Sequence, residues 1–165
     1  AGAVKAANVG FMASSGEYVV KLDSDDVFAS NLISEEIAIL DAYAGVSFVY
    51  SDYVEELDGV EKIVSTKDNL YATVAIGTMF RRQLFVAEGF YDPSVFFAEY
   101  DLLLKTRGRW PGYHIDKPLF TYNRRRSSLT GDVTKLNKAL LQLSERYKTR
   151  QDEVNKIRDY KMANL

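Results

Sequence analysis

The chain has 165 residues, 47% of them apolar and 13% aromatic, which is enough to bury one sizeable core. Its net charge is −2, with acidic and basic residues interspersed, so neither a nucleic-acid groove nor a strongly anionic membrane surface is advertised as a partner. Cysteine is absent, which excludes disulfides, thiolate metal sites and cysteine nucleophiles. The apolar runs are too short to span a membrane and no basic-then-apolar leader opens the sequence. The expected location is the cytoplasm, in solution or at the periphery of a membrane.

Val4, Ala7, Phe11 and Met12 recur at helical spacing within residues 1 to 15, and Gly16 closes that helix. Tyr18-Val19-Val20-Lys21-Leu22 has the β-branched and aromatic content of a buried strand. Residues 31 to 43 read as a second helix with Leu32, Ile33, Ile37, Leu40 and Tyr43 on its inner face, followed by a strand from Val46 to Tyr50. Asp58-Gly59 predicts a hairpin turn between residues 53–57 and 60–64. A strand over 75–80, a short helix over 82–87 and a helix over 98–106 come next. Two short strands, 114–116 and 119–122, flank Lys117-Pro118. From Val133 the pattern is helical, with an apolar seam of Leu136, Leu140, Leu143 and Tyr147, then Val154 and Ile157, interrupted at Arg150. This reads as an amphipathic helix packed on the domain, because two apolar turns before the break are too few for a coiled-coil dimer; dimerisation stays open. Strands alternating with helices make the chain α/β, with a parallel core and an antiparallel flap.

Asp23, Asp25 and Asp26 follow a strand and precede a helix, the place where ligands bind in an open α/β sheet. Three carboxylates in four residues repel one another unless a cation or hydrogen-bond donors neutralise them. Hard oxygen ligands without His or Cys nearby favour Mg²⁺ or Mn²⁺ over Zn²⁺. The competing reading is a helix cap at Asp25 or Asp26 with solvated charge around it. An EF-hand loop fails, because Val27 and Phe28 stand where it needs an oxygen ligand and a glycine. A phosphatase-type Asp-x-Asp-x-Thr loop fails at Val27 as well.

Asn8-Val9-Gly10, Gly16-Glu17-Tyr18-Val19 and Leu22-Asp23-Ser24-Asp25-Asp26 resemble, in order and spacing, the middle of family 2 glycosyltransferases of the GT-A fold. Gly77-Thr78-Met79-Phe80-Arg81-Arg82, Glu88-Gly89-Phe90-Tyr91-Asp92, Ala98-Glu99-Tyr100-Asp101-Leu102 and Pro118-Leu119-Phe120-Thr121-Tyr122 resemble successive downstream blocks of that family. The resemblance covers about residues 3 to 130. It implies a partial GT-A fold: a mixed, mostly parallel sheet flanked by helices, with a long C-terminal helix. Residues 1–132 are then the C-terminal two-thirds of a catalytic domain, and 133–165 an amphipathic helical extension. The family's amino-terminal strands and its Asp-Asp-Gly-Ser type loop have no counterpart in the sequence, so an exposed sheet edge is expected.

The resemblance also implies an inverting sugar transferase that takes a nucleotide-diphosphate-sugar, UDP by default, to a glycan, lipid or protein acceptor. Asp25 and Asp26 are the implied metal ligands. Asp23 either joins them or lies nearer the donor's ribose and sugar. Glu99 falls where the family has its acceptor-activating carboxylate, in place of the usual Asp, with Asp101 as the alternative. Both also suit a helix amino terminus on charge alone. Arg125 stands where a histidine often falls, and either grips the pyrophosphate or belongs to a solvated patch, Arg124-Arg125-Arg126. Asn8 is an implied donor contact, without the arginine that usually precedes it. His114 and Trp110 are given no functional role. The rival class is a non-catalytic fragment that packs or oligomerises through its last helix.

Overall fold

The computed structural model describes residues 2–72, 76–125 and 133–163. Helix α1 (Ala3–Ala13) ends where Ser14 turns extended and its N–H caps the Gly10 carbonyl, and Phe11 anchors it by stacking on Phe85 at 4.5 Å. Strand β1 (Tyr18–Val20) follows, then β2 (Val27–Phe28), α2 (Leu32–Ala42), β3 (Phe48–Leu57) and β4 (Val60–Val64). Asp58 (φ 53°) and Gly59 (φ 80°) both adopt positive φ, the geometry that matches a two-residue turn to the twist of its strands, and Leu57 pairs with Val60 as the hairpin reading requires. Strand β5 (Met79–Arg81) leads directly into α3 (Arg82–Glu88), which Gly89 stops in the left-handed region. Helix α4 (Ala98–Thr106), strand β6 (Gly112–Asn123), α5 (Val133–Arg146) and α6 (Gln151–Ala163) complete the described chain.

The sheet order is β1-β5-β3-β6-β2, with β4 on the far half of β3. The expected mixed α/β architecture is present, but the sheet is not mostly parallel. Among the described residues only β3 and β6 pair in parallel, and the other pairings are antiparallel. A parallel pair needs a long crossover, and only the stretch through α3 and α4 supplies one between these neighbours. Two further expectations change for one reason. Residues 46–50 and 53–57 are not separate strands, nor are 114–116 and 119–122; β3 and β6 run through, with register shifts at Ser51, Asp52 and Tyr53 opposite the Lys117-Pro118 region. Proline has no N–H for a ladder, and an irregular pairing accommodates it without breaking the strand.

Each face of the sheet carries its own apolar cluster. Val19, Phe48 and Phe80 face α1, α3, α4, α5 and α6, whereas Val49, Met79, Ile115 and Phe120 face α2. Leu136, Leu140 and Leu143 of α5 and Val154 and Ile157 of α6 are buried in the same cluster as Leu102 and Leu104 of α4. Each such leucine contributes about 1.5–3 kcal/mol relative to an exposed one. The C-terminal segment is not one long helix. It breaks at a 3₁₀ turn, Lys148–Arg150, because tertiary bonds fix the corner: Tyr147 donates its hydroxyl to Asp101, and Arg150 donates to the carbonyls of Leu104 and Arg107. Helix α2 also presents a different face from the expected one. Leu32, Glu36 and Leu40 point inward, while Ile33 and Tyr43 are exposed.

Gly77 ties the site's floor to this scaffold. Its N–H donates to the Lys21 carbonyl, its φ is +65°, and an added Cβ would stand 2.7 Å from Cδ1 of Phe120, in the strand that carries the cleft wall. Gly77→Ala therefore combines backbone strain with overpacking and should lower stability by about 2–4 kcal/mol in denaturant melts. An unchanged midpoint would show that Phe120 yields freely.

Candidate active site

One cleft of about 1480 Å³ opens over the ends of β1 and β6 and is roofed by α5 and α6. Its floor is the tight turn after β1, closed by the Asp26 N–H bonding to the Asp23 carbonyl. Asp23, Asp25 and Asp26 all line it, as do Glu99 from the first turn of α4 and Arg125 beyond β6.

The acidic turn is held by a residue that the sequence does not single out. At the end of β6, the Asn123 backbone N–H donates to Asp26 Oδ1 at 2.9 Å, and its side-chain amide donates to the Asp25 carbonyl. Asp26 is buried, and its Oδ2 has no hydrogen-bond partner among the described residues. Burial raises its carboxyl to about 6, against the pull of the Asn123 N–H and with the added repulsion of Asp25 and Asp23. A cation beside Oδ2 would satisfy that oxygen and relieve the repulsion.

The three aspartates do not converge as one cage, and Asp23, left open between metal and sugar, turns away from the other two. No group of three or more His, Cys, Asp or Glu close enough to hold a metal occurs among the described residues. Asp23 is drawn instead to Lys21, whose Nζ lies 3.3 Å from its Oδ1. Asp25 meets Arg125 Nε at 3.5 Å. Mg²⁺ or Mn²⁺ is nonetheless compatible with this donor set, since such ions are held by one or two protein carboxylates and complete their shell with phosphate and water oxygens.

Lys21 is the second residue the sequence does not announce. The same ammonium lies 3.1 Å from Glu99 Oε1, so one cation bridges Glu99 and Asp23. Burial alone would push Lys21 down, but the two carboxylates together outweigh it and raise the ammonium above the ordinary lysine range. Lys21 therefore stands between Glu99 and the acidic turn.

Asp101 lies elsewhere. Fully buried, it accepts from Arg146 Nε at 2.8 Å and from the Tyr147 hydroxyl at 2.6 Å, and it anchors α5 to α4 outside the cleft lining. Asn8 makes its contacts inside the scaffold. Its amide clamps the backbone of Tyr91 in both directions, donating to the carbonyl at 2.8 Å and accepting from the N–H at 3.0 Å, and so fixes the 88–92 turn; it does not line the cleft. Arg124 leans on Glu55 at 3.8 Å, and Arg126 lies outside the described residues. His114 pairs with Asp52 at 2.8 Å, and Trp110 donates to Glu88 at 2.7 Å; both contacts are within the scaffold. No helix among the described residues is long and apolar enough to cross a membrane.

The fold and site thus define a mixed α/β chain with an acidic, lysine-bridged cleft. A Haemophilus influenzae protein named "Uncharacterized glycosyltransferase" is 27% identical to it over 165 residues, a match covering 88% of this chain and 56% of that protein. The chain accordingly spans little more than half the length of that curated relative. No protein-family model matches the chain.

Proposed function

We propose that the chain belongs to a family 2, GT-A type glycosyltransferase, a hexosyltransferase that moves a sugar with inversion from a nucleoside-diphosphate donor to a glycan, lipid or protein hydroxyl, as in building a surface polysaccharide. The observation that carries this reading is that Asp25, Asp26 and Glu99 line one cleft large enough for a nucleotide-sugar, with a buried, unpartnered oxygen on Asp26. The similarity to the Haemophilus protein supports transferase chemistry at the coarse level.

In this reading Asp25 and Asp26 hold a divalent ion, with Asp23 alongside, and the ion supplies charge neutralisation to the departing diphosphate. Arg125 and Asp25 are both substantially exposed, so their ion pair is worth less than about 1 kcal/mol and the guanidinium is free to turn toward a phosphate. Glu99 acts on the acceptor. Lys21 holds it by Oε1, and its Oε2 makes no hydrogen bond to the described residues. That oxygen takes the acceptor hydroxyl's proton as the acceptor oxygen bonds to the anomeric carbon and the bond from that carbon to the diphosphate breaks.

Calorimetric titration of UDP-sugars with and without Mn²⁺ tests the donor half. Binding should require the metal, and Asp26→Asn should weaken it about tenfold or more. Equal affinity with and without metal, unchanged in Asp26→Asn, would remove the metal site from the reading.

A further inference from the structure

Lys161 of helix α6 lies 138 residues beyond Asp23 in the sequence, yet it lines the same cleft. Lys161 lines the cavity together with Tyr122, Asn123 and Asp26 on one wall and Phe97, Glu99 and Tyr100 on the other. Its position is held by aromatic faces. Nζ stands 5.3 Å from the Tyr100 ring centroid, 5.7 Å from Tyr160 and 5.8 Å from Phe97, all within cation–π range. The other cations at the cleft floor are engaged differently. Lys21 is bridged between Asp23 and Glu99, and Arg125 meets Asp25, whereas Lys161 makes no ion pair with a carboxylate of the described residues.

A half-buried ammonium facing three rings keeps its positive charge un-neutralised. Its burial pulls it below the ordinary lysine range, against the fields of Tyr160, Tyr122 and Glu99. Such a group is costly to the resting protein and strongly attractive to an anion, because the low local dielectric magnifies both effects. Tyr100, which also lines the cleft, has a buried hydroxyl with no hydrogen-bond partner among the described residues. An anion rich in acceptor oxygens, bound in the cleft, would answer the need of Lys161.

We infer that Lys161 is a phosphoryl-binding residue of this cleft, delivered by α6 and held in place by the Phe97, Tyr100 and Tyr160 rings. The inference rests on the transferase reading above, in which a diphosphate must leave from beside three carboxylates that repel it. Lys161 would then contact the leaving group in the same cleft as the carboxylates that would hold the cation. The corner at Lys148–Arg150 matters for the same reason, since the turn there is what brings α6 back over the sheet. The alternative source of the same chemistry is a phosphate carried by the acceptor on the Glu99 side.

Two probes separate these sources, read by calorimetry on the whole chain: pyrophosphate with Mg²⁺, and inorganic phosphate without metal. Lys161→Gln should weaken Mg²⁺-pyrophosphate binding about tenfold or more, the loss expected for one charge-assisted contact. Lys161→Arg should restore most of it, and Lys67→Gln, an exposed lysine away from the cleft, should change nothing. A loss confined to metal-free phosphate would keep Lys161 as a phosphoryl contact and assign it to the acceptor. Wild-type affinity for both probes in Lys161→Gln, at an unchanged unfolding midpoint, overturns the inference and leaves the transferase reading standing. Failure of the wild type to bind either probe overturns both.

Discussion

Replacing Glu99 by Gln should reduce turnover by a factor of about 10²–10⁴ while donor binding stays close to that of the wild type. The amide keeps the size of the carboxylate and can still accept from Lys21, now 3.1 Å from Oε1, so the floor of the cleft should persist. What it cannot do is take a proton from the acceptor hydroxyl. Asp101→Asn is the informative contrast, because Asp101 is near Glu99 in sequence but outside the cleft. Its substitution breaks a buried ion pair with Arg146 and a hydrogen bond with Tyr147, and should lower the unfolding midpoint rather than the rate per folded molecule. Both variants need assaying for turnover, Mn²⁺-dependent donor binding and thermal unfolding. Normal turnover in Glu99→Gln together with a stable, inactive Asp101→Asn would transfer the base to Asp101.

The parts of this architecture that are legible in the sequence are those whose cause is local. Asp58-Gly59 announces its hairpin through two positive-φ positions, and α4 occupies residues 98–106 as its periodicity predicts. The acidic turn is likewise visible, because three aspartates in four residues demand an explanation. The rest depends on distant contacts. Asn8 holds the backbone of Tyr91, 83 residues away, a contact that no local pattern announces. Lys21 looks like a strand lysine with no assigned role, and only folding brings Glu99 to it across 78 residues. Asn123 and Lys161 enter the cleft from β6 and α6, at spacings that match no motif. Polar side chains acquire site roles from the pairs they make, and those pairs are set by sheet register and helix docking. The break at Lys148–Arg150 is foreshadowed by the lapse of the apolar seam at Arg150, but its cause is the tertiary grip of Tyr147 and Arg150 on α4.

Glu36 shows the same limit on the other face of the sheet, and it carries the second large expected effect. Its residue type hides it, since a glutamate is read as solvent-facing even where i+4 spacing puts it on one face with Leu32 and Leu40, yet it is fully buried and neither carboxylate oxygen has a hydrogen-bond partner among the described residues. Burial raises its carboxyl from 4.5 to about 9, so the folded protein keeps this group protonated at neutral pH. The unfolded chain releases the proton once the pH passes the ordinary glutamate value. Between those two values the unfolded state binds fewer protons than the folded one, so stability falls as pH rises; below the lower value the penalty is absent. At pH 7 it amounts to about 3 kcal/mol. Glu36→Met removes the titrating group and fills a similar volume with apolar atoms, so the variant should unfold at a higher midpoint than the wild type. The diagnostic is the pH profile rather than the gain itself. Denaturant melts at pH 5, 6.5 and 8 should show the variant's advantage widening by a few kcal/mol with increasing pH, because every other titration is common to both proteins. Parallel profiles would mean that Glu36 ionises without penalty in the folded state and that α2 leaves its carboxylate in contact with water.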